Sequence, residues 1–224
     1  AIRVAEEAGE VELVGFWSHL SCADDPDGPG DEATAEQTAR YEEGLRIVLS
    51  RGLTPQLRHL AASAGNIWHE PARLDMVRPG IALYGYSPNP DAASAEELGL
   101  RPAATFRAPI MQVKRVKECD TVSYGATWVA PDDRWVGLLP IGYEDGVPRA
   151  LSGKGVEFLL EESGRPAALL GRVCMDQMVI DLGDGDSPAA GVGDPVVLFG
   201  DPAAGHPDLE AWARAADTVN YEII

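Results

Sequence analysis

Met76-Val77-Arg78-Pro79-Gly80-Ile81-Ala82-Leu83-Tyr84-Gly85 is the stretch whose reading decides the fold. Ile81 to Tyr84 reads as a short apolar strand entered through Arg78-Pro79-Gly80. Pro79 has no backbone donor and biases Arg78 toward an extended conformation. Gly80 lets the backbone approach a ligand, or take a positive φ, with no Cβ in the way. An arginine, a glycine and a run of amides at one strand end suit an anion or a ring nitrogen. The plainer reading is an arginine capping a rim beside a bend, and for the stretch alone that reading is the stronger.

Upstream, two further apolar runs lead into it. Residues 11–20, VELVGFWSHL, predict a buried strand that ends at His19. Thr34 with Gln37 three residues on is a capping-box signal, and Tyr41, Leu45, Val48 and Leu49 recur at helical spacing before Gly52. LRHLAAS (57–63) predicts the second strand and SAGNIWHE a short helix. Strand, helix, strand, helix, strand is the grammar of parallel βαβ units. Three strands cannot close a barrel, so residues 1–87 are expected to be the last part of a (β/α)₈ barrel. Loops after the last two strands of such barrels commonly bind phosphate, which would place Ser63 and Gly80–Ile81 in that role. The opening IRVAEEAGE reads as the tail of a helix, and an upstream part is expected.

Downstream the pattern changes. Residues 88–100, rich in Pro, Asn, Ala and Glu, read as a linker. From 101 to 224, short strands with turn signals predict a mostly antiparallel β domain. They are FRAPIMQVKRV, RWVGLLPIGY, VEFLLEE paired across Ser163–Pro166 with AALLGRVCMDQMVIDL, and DPVVLFG. LEAWARAAD predicts a helix, and TVNYEII a final strand. Three glycine-marked polar clusters stand out: Val122–Thr127 around Tyr124, Pro140–Gly146 with Arg149, and Gly171–Gln177. Taken singly, each is better read as turn chemistry. Asp145 and Asp176 could pair as carboxylates, but no His/Asp/Glu spacing points to a metal.

Composition narrows the function classes. Forty-five per cent hydrophobic and 24% charged residues are ordinary for a globular protein. A formal net charge of −18 without a basic stripe argues against nucleic acid and anionic membrane as partners. No apolar run reaches membrane-spanning length and no signal-peptide pattern opens the chain. Cys22, Cys119 and Cys174 are scattered, so disulfides and zinc are not expected and a reducing cytoplasm is.

Read together and in order, WSHLSCAD, RHLAASAG, VRPGIALYG, VSYGATW, LPIGYEDGVPR, GRVCMDQMVIDL and TVNYEI resemble alanine racemase. The resemblance runs from about residue 11 to Ile224. It implies a pyridoxal-phosphate isomerase with an N-terminal (β/α)₈ barrel, a C-terminal β domain and a head-to-tail homodimer. The implied reaction interconverts L- and D-alanine by two-base proton transfer, supplying D-alanine for peptidoglycan. Arg78 would face the pyridine nitrogen of the cofactor, with His59 bonded to Arg78 and His19 against the ring. Ser63, the backbone of Gly80 and Ile81, and the hydroxyl of Tyr221 would hold the phosphate. Tyr124 would be the second acid–base residue, acting in the partner's site beside His19. Met175 would meet the substrate carboxylate through its amide. Asp24, Tyr143, Arg149, Arg172 and Val219 would line the entrance corridor.

This chain departs from the family pattern in places. The family's cofactor lysine lies in a K-A-N-A-Y-G-like motif on the first barrel strand, and no such motif occurs here. The three lysines are Lys114, Lys117 and Lys154. Ala62 stands where Asn is usual, and Glu144 where a small residue is common. Three other readings remain: a serine or broad-specificity racemase, a decarboxylase of similar architecture, and a non-catalytic scaffold. Tyr124 favours racemisation, because a decarboxylase needs no second base. Retention of Tyr124, Arg78 and His19 together argues against a scaffold.

Overall fold

A computed structural model describes all 224 residues. It divides into two compact units, Ala1–Arg101 and Pro102–Ile224. In the first, a short helix α1 (Ile2–Glu7) precedes strand β1 (Gly15–Trp17). Helix α2 (Pro29–Ser50) leads to β2 (Leu57–Ala62), and helix α3 (Ser63–Trp68) leads to β3 (Met76–Arg78). The three strands pair in the order β1-β2-β3, both ladders parallel. Parallel neighbours require a crossover, and α2 and α3 provide it.

Apolar residues on these elements meet in one cluster. Leu20, Tyr41, Leu60, Ala61, Ala64 and Ala72 are buried together, with Phe16, Trp68 and Val77 packed against them. Tyr41 reaches from α2 to donate its hydroxyl to the Phe16 carbonyl at 2.9 Å, and burial raises its phenol pKa. On the exposed side of β2, Arg58 forks onto Asp75 with bonds of 2.7 and 2.8 Å, which holds the Asp75 carboxyl at a pKa of about 2. Residues 88–100 form ordered turns, in which Asn89 donates to the Asp24 carbonyl and Ser94 donates to Glu97.

Several expected elements are corrected. The strand in the deciding stretch is Met76–Arg78, and Ile81–Tyr84 is a 3₁₀ turn. Pro79 cannot donate to the ladder, and Ser63 Oγ then accepts from the amides of Gly80 and Ala82, turning the chain. The strand expected over 11–20 is only Gly15–Trp17. Helix α2 starts at Pro29 rather than Thr34. Proline suits the first helical position, and the Asp25 carboxylate accepts from the Gly30 amide there. Thr34 lies buried inside the helix, and Leu49 is exposed.

The second unit carries nine strands. They are β4 (Phe106–Pro109), β5 (Gln112–Val116), β6 (Thr121–Val122), β7 (Trp128–Val129), β8 (Arg134–Leu139), β9 (Glu157–Leu160), β10 (Arg165–Leu170), β11 (Met178–Gly183) and β12 (Pro195–Phe199). Seven form one antiparallel sheet in the order β4-β12-β9-β10-β11-β8-β5, and β6 pairs with β7 apart from it. The run 106–116, expected as one strand, is thus two. Ile110 and Met111 between them bond to Asp194 and Leu138 instead of continuing one ladder. Because β4 and β5 are the two edges, the bridge between them forces the sheet to curl. Three residue steps reach only about 11 Å.

Helix α4 (Leu209–Ala216) closes one side of this sheet. Leu209, Trp212 and Ala213 share its buried face, Asp208 caps its first turn through the Glu210 amide, and Asp217 ends it in a left-handed conformation. Trp212, 1% exposed, packs against Phe106, Phe158 and Phe199 at centroid distances of 6.5, 5.9 and 5.3 Å. The final strand expected over TVNYEII is corrected too. Asn220–Glu222 is a 3₁₀ turn, because Asn220 is buried with its side-chain amide on Glu210 and the last amides bond back to Val219 and Asn220. No helix in the chain is long and apolar enough to cross a membrane.

Candidate cofactor and active site

The first unit gathers His19, His59 and Arg78 at the ends of its strands. Trp17 pairs with His59 and Ala62 with Arg78 in the parallel ladders. Arg78 Nη1 donates to His59 Nδ1 at 2.7 Å. Its Nη2 meets the Ser18 carbonyl at 3.0 Å, the Leu60 carbonyl at 3.2 Å and His19 Nδ1 at 3.2 Å. A guanidinium has only donors, so both Nδ1 atoms accept and both rings carry their hydrogen on Nε2. Burial, and then the Arg78 charge, lower the His59 pKa, which keeps that ring neutral.

Trp17 completes this group and was not singled out in the sequence. Its indole stacks on His59 at 5.8 Å with a 2° interplanar angle, and Arg78 Cζ lies 5.5 Å from the indole centroid. The available signal was the period-two alternation that puts Trp17 and His19 on one face of an extended segment.

Ser63 stands at the start of α3 and is 2% exposed. Its Oγ accepts from the Gly80 amide at 2.9 Å and the Ala82 amide at 3.3 Å, which leaves its own hydrogen to donate. Ile81 opens the 3₁₀ turn, where the first amides have no acceptor within the turn. A Cβ built on Gly80 would meet nothing within 4 Å, so space lies open over this cluster of donors. Asp24, in the loop after β1, is exposed.

In the second unit, three loops touch. Tyr143 and Glu144 donate their amides to the carbonyls of Cys174 and Met175 at 2.9 and 2.8 Å. The loop holding Tyr124 packs on Gly171 through Ser123 and on Arg172 through Gly125. Tyr124 is 74% exposed, Met175 51% and Tyr143 41%, so each of the three loops turns a large side chain to the surface. Tyr143 and Arg149 also line a cleft of about 450 Å³ with Thr218 and Glu222. Val219 and Tyr221 lie exposed on the chain end beside it in sequence. The three lysines all belong to this unit, Lys114 on β5, Lys117 just after it and Lys154 in the turn before β9.

Comparison with known proteins identifies this pair of units. Residues 1–88 match the family model of the alanine racemase N-terminal domain, and residues 103–224 match that of the C-terminal domain. The chain belongs to the alanine racemase family. It is 45% identical over 224 residues to the alanine racemase of Salinispora arenicola, covering 100% of this chain and 57% of that protein. The Streptomyces coelicolor alanine racemase is 42% identical over 220 residues, 98% of this chain and 54% of that one. The structure of the alanine racemase from Streptomyces coelicolor A3(2) superposes with a TM-score of 0.89 at 43% identity, covering 100% of this chain and 56% of that chain. The Clostridium difficile 630 alanine racemase in complex with cycloserine gives 0.84 at 31% identity, covering 99% and 56%. This chain thus spans little more than half the length of the alanine racemases it matches. Its parallel sheet is the barrel portion of the alanine racemase fold, and its antiparallel sheet the β domain.

Alanine racemases depend on pyridoxal phosphate. The residues of the first unit fit that group. Ser63 and the Ile81 amide offer donors under open space at Gly80, and Arg78 is held by four acceptors that do not neutralise it.

Proposed function

We propose that the protein to which this chain belongs is an alanine racemase interconverting L- and D-alanine. The single observation that carries the reading is the Arg78 group. An arginine fixed by two neutral histidine nitrogens and two carbonyls at the strand ends, next to a bare Gly80 and a Ser63 hydroxyl whose one hydrogen is left to donate, suits a phosphorylated pyridine. Ser63 and the Ile81 amide hold the phosphate, with the Tyr221 hydroxyl as a further donor, and the Gly80 amide joins them by turning from Ser63 Oγ, to which it donates in this structure. Arg78 faces the ring nitrogen, and a guanidinium cannot give up its proton to that nitrogen. His19 packs against the ring and His59 keeps Arg78 in place.

Pyridoxal phosphate, when bound, supplies the electron sink that acidifies the Cα–H of an amino acid. Racemisation then needs one base on each face of Cα. Tyr124 Oη moves the proton on one face, and a lysine outside these 224 residues serves the other. Tyr124 acts in the site of a partner subunit, in a head-to-tail homodimer, where its large exposure becomes contact. The Met175 amide meets the substrate carboxylate. Asp24, Tyr143, Arg149, Arg172 and Val219 form the corridor, whose charge and aromatic bulk favour a small zwitterion. The expected setting is the cytoplasm, where the product feeds peptidoglycan.

The test joins this chain, in one polypeptide or as two, to a lysine-bearing first half and follows optical rotation of L-alanine. Wild type should racemise it. Tyr124→Phe should lose turnover by a hundredfold or more, on the order expected for an acid–base group, while keeping the cofactor's absorbance. Unchanged turnover in Tyr124→Phe sinks the two-base assignment. Faster turnover of serine than of alanine would move the substrate to the broader racemases. Absence of cofactor binding in the joined protein would leave only the scaffold reading.

A further inference from the structure

Five residues other than glycine have positive φ in this chain, and two of them, Ser123 and Ala126, flank Tyr124. Gly125 between them is also positive, at 77°. Ser123 is the extreme case, with φ 65° and ψ 173°, a combination essentially confined to glycine. Something must hold a side chain there. The Ser123 Cβ and Oγ each lie 2.9 Å from the point where a Cβ on Gly171 would stand, and the Val122 carbonyl lies 3.0 Å from it. The serine is therefore wedged onto the bare backbone of Gly171, itself at φ 69°. One residue on, the Arg172 guanidinium covers Gly125, its Cζ 3.2 Å from where a Cβ would be. The Tyr124 turn is gripped on both sides.

The geometry points to Ser123 as a positioning residue: its side-chain bulk, seated on Gly171, fixes the strained turn that presents the Tyr124 hydroxyl for proton transfer. This rests on the reading of Tyr124 as an acid–base residue. The wedge does not act through the hydroxyl, because Ser123 Oγ is buried with no hydrogen-bond partner. Nor is it placed for stability. A buried unpaired hydroxyl and a glycine-only conformation are each unfavourable, and glycine at 123 would relieve both. What glycine cannot do is fill the notch over Gly171.

Two variants separate the hydroxyl from the bulk. Ser123→Ala keeps the Cβ and loses the hydroxyl; Ser123→Gly loses the wedge and relaxes the backbone. The chain is labelled with 3-fluorotyrosine, and its ¹⁹F spectrum is read with Tyr124→Phe to assign the resonance. Turnover is measured in the cofactor-loaded enzyme. Ser123→Ala should keep the Tyr124 resonance and the turnover of wild type. Ser123→Gly should keep or raise the melting temperature, yet shift or broaden the Tyr124 resonance and lower kcat about tenfold or more with KM little changed. A Ser123→Gly protein with wild-type resonance and kcat overturns the proposal, as does one whose losses follow a fallen melting temperature. Ser123→Ala failing like Ser123→Gly overturns it as well, since the hydroxyl would then be the active part. Tyr124→Phe with wild-type turnover defeats the catalytic reading instead, and the fluorine spectra still decide whether Ser123 sets the turn.

Discussion

Arg78 shows how a residue's surroundings settle its chemistry. Its carbonyl and imidazole partners are all neutral, so the charge is oriented without being cancelled. His59 bears the consequence. Burial first and Arg78 second depress its pKa below the ordinary 6.5. The unfolded chain therefore binds the proton more readily than the folded one. The neutral ring's contribution is present above pH 6.5 and is lost as pH falls through the folded value. An NMR titration of the His59 ring should give a midpoint below 6.5, and Arg78→Gln should move it up; a midpoint at or above 6.5 would contradict the arrangement. These residues could be marked in the sequence because they stand at the motif positions of the family that the sequence resembles; taken singly, each is better read as structural. Trp17 could not, since an aromatic residue on a strand is usually packing.

Elements depend on contacts that the local sequence does not display. Ile81–Tyr84 has the composition of a strand, and became a 3₁₀ turn because Ser63, seventeen residues away, takes the amides of Gly80 and Ala82. Thr34 has the look of a helix cap, and lost the place to Pro29 and the Asp25 carboxylate. The contact between the 140–146 and 171–177 loops is equally remote in sequence, yet it turns on one atom position. Gly142 has an extended backbone that any residue can adopt, but an added Cβ would lie 2.2 Å from the Cys174 carbonyl oxygen and 2.4 Å from that of Met175. Gly142→Ala must push the loops apart, at a cost of about 3 kcal/mol, the upper end of ordinary overpacking. Gly146, four residues on, has φ 99° and nothing within 4 Å of its missing Cβ. Gly146→Ala should cost only the left-handed backbone penalty, about 1–2 kcal/mol. Urea unfolding of the two variants reads the difference, and equal losses would mean that the carbonyl contacts do not confine Gly142.

At the scale of the molecule, the two units differ in how far each satisfies itself. The second has a curled seven-stranded sheet, a capped helix and an aromatic cluster of its own around Trp212. Residues 102–224 expressed alone should unfold in one cooperative transition by calorimetry; a broad, heatless melt would refute that independence. The first has three strands whose two outer edges are unpaired, and it leaves Trp17, Leu57, Met76, Leu83 and Tyr84 exposed. Residues 1–101 alone should bind a hydrophobic dye and melt without a sharp midpoint. The change from βαβ grammar to strands alone is visible in the letters. The order β4-β12-β9-β10-β11-β8-β5 is not, because it rests on pairings as remote as that of Phe199 with Phe106.

The stack of Trp17 on His59 has an optical consequence. Of the five tryptophans, Trp17 is 62% exposed and lies against the group that would face the pyridine ring, whereas Trp212 is 1% exposed within its own aromatic cluster. Indoles in those two settings emit at different wavelengths, the wet one to the red. A pyridoxal chromophore absorbs where indole emits, and such transfer falls steeply with distance. Red-side emission should therefore dim as the cradle fills. The chain carries its own meter of occupancy.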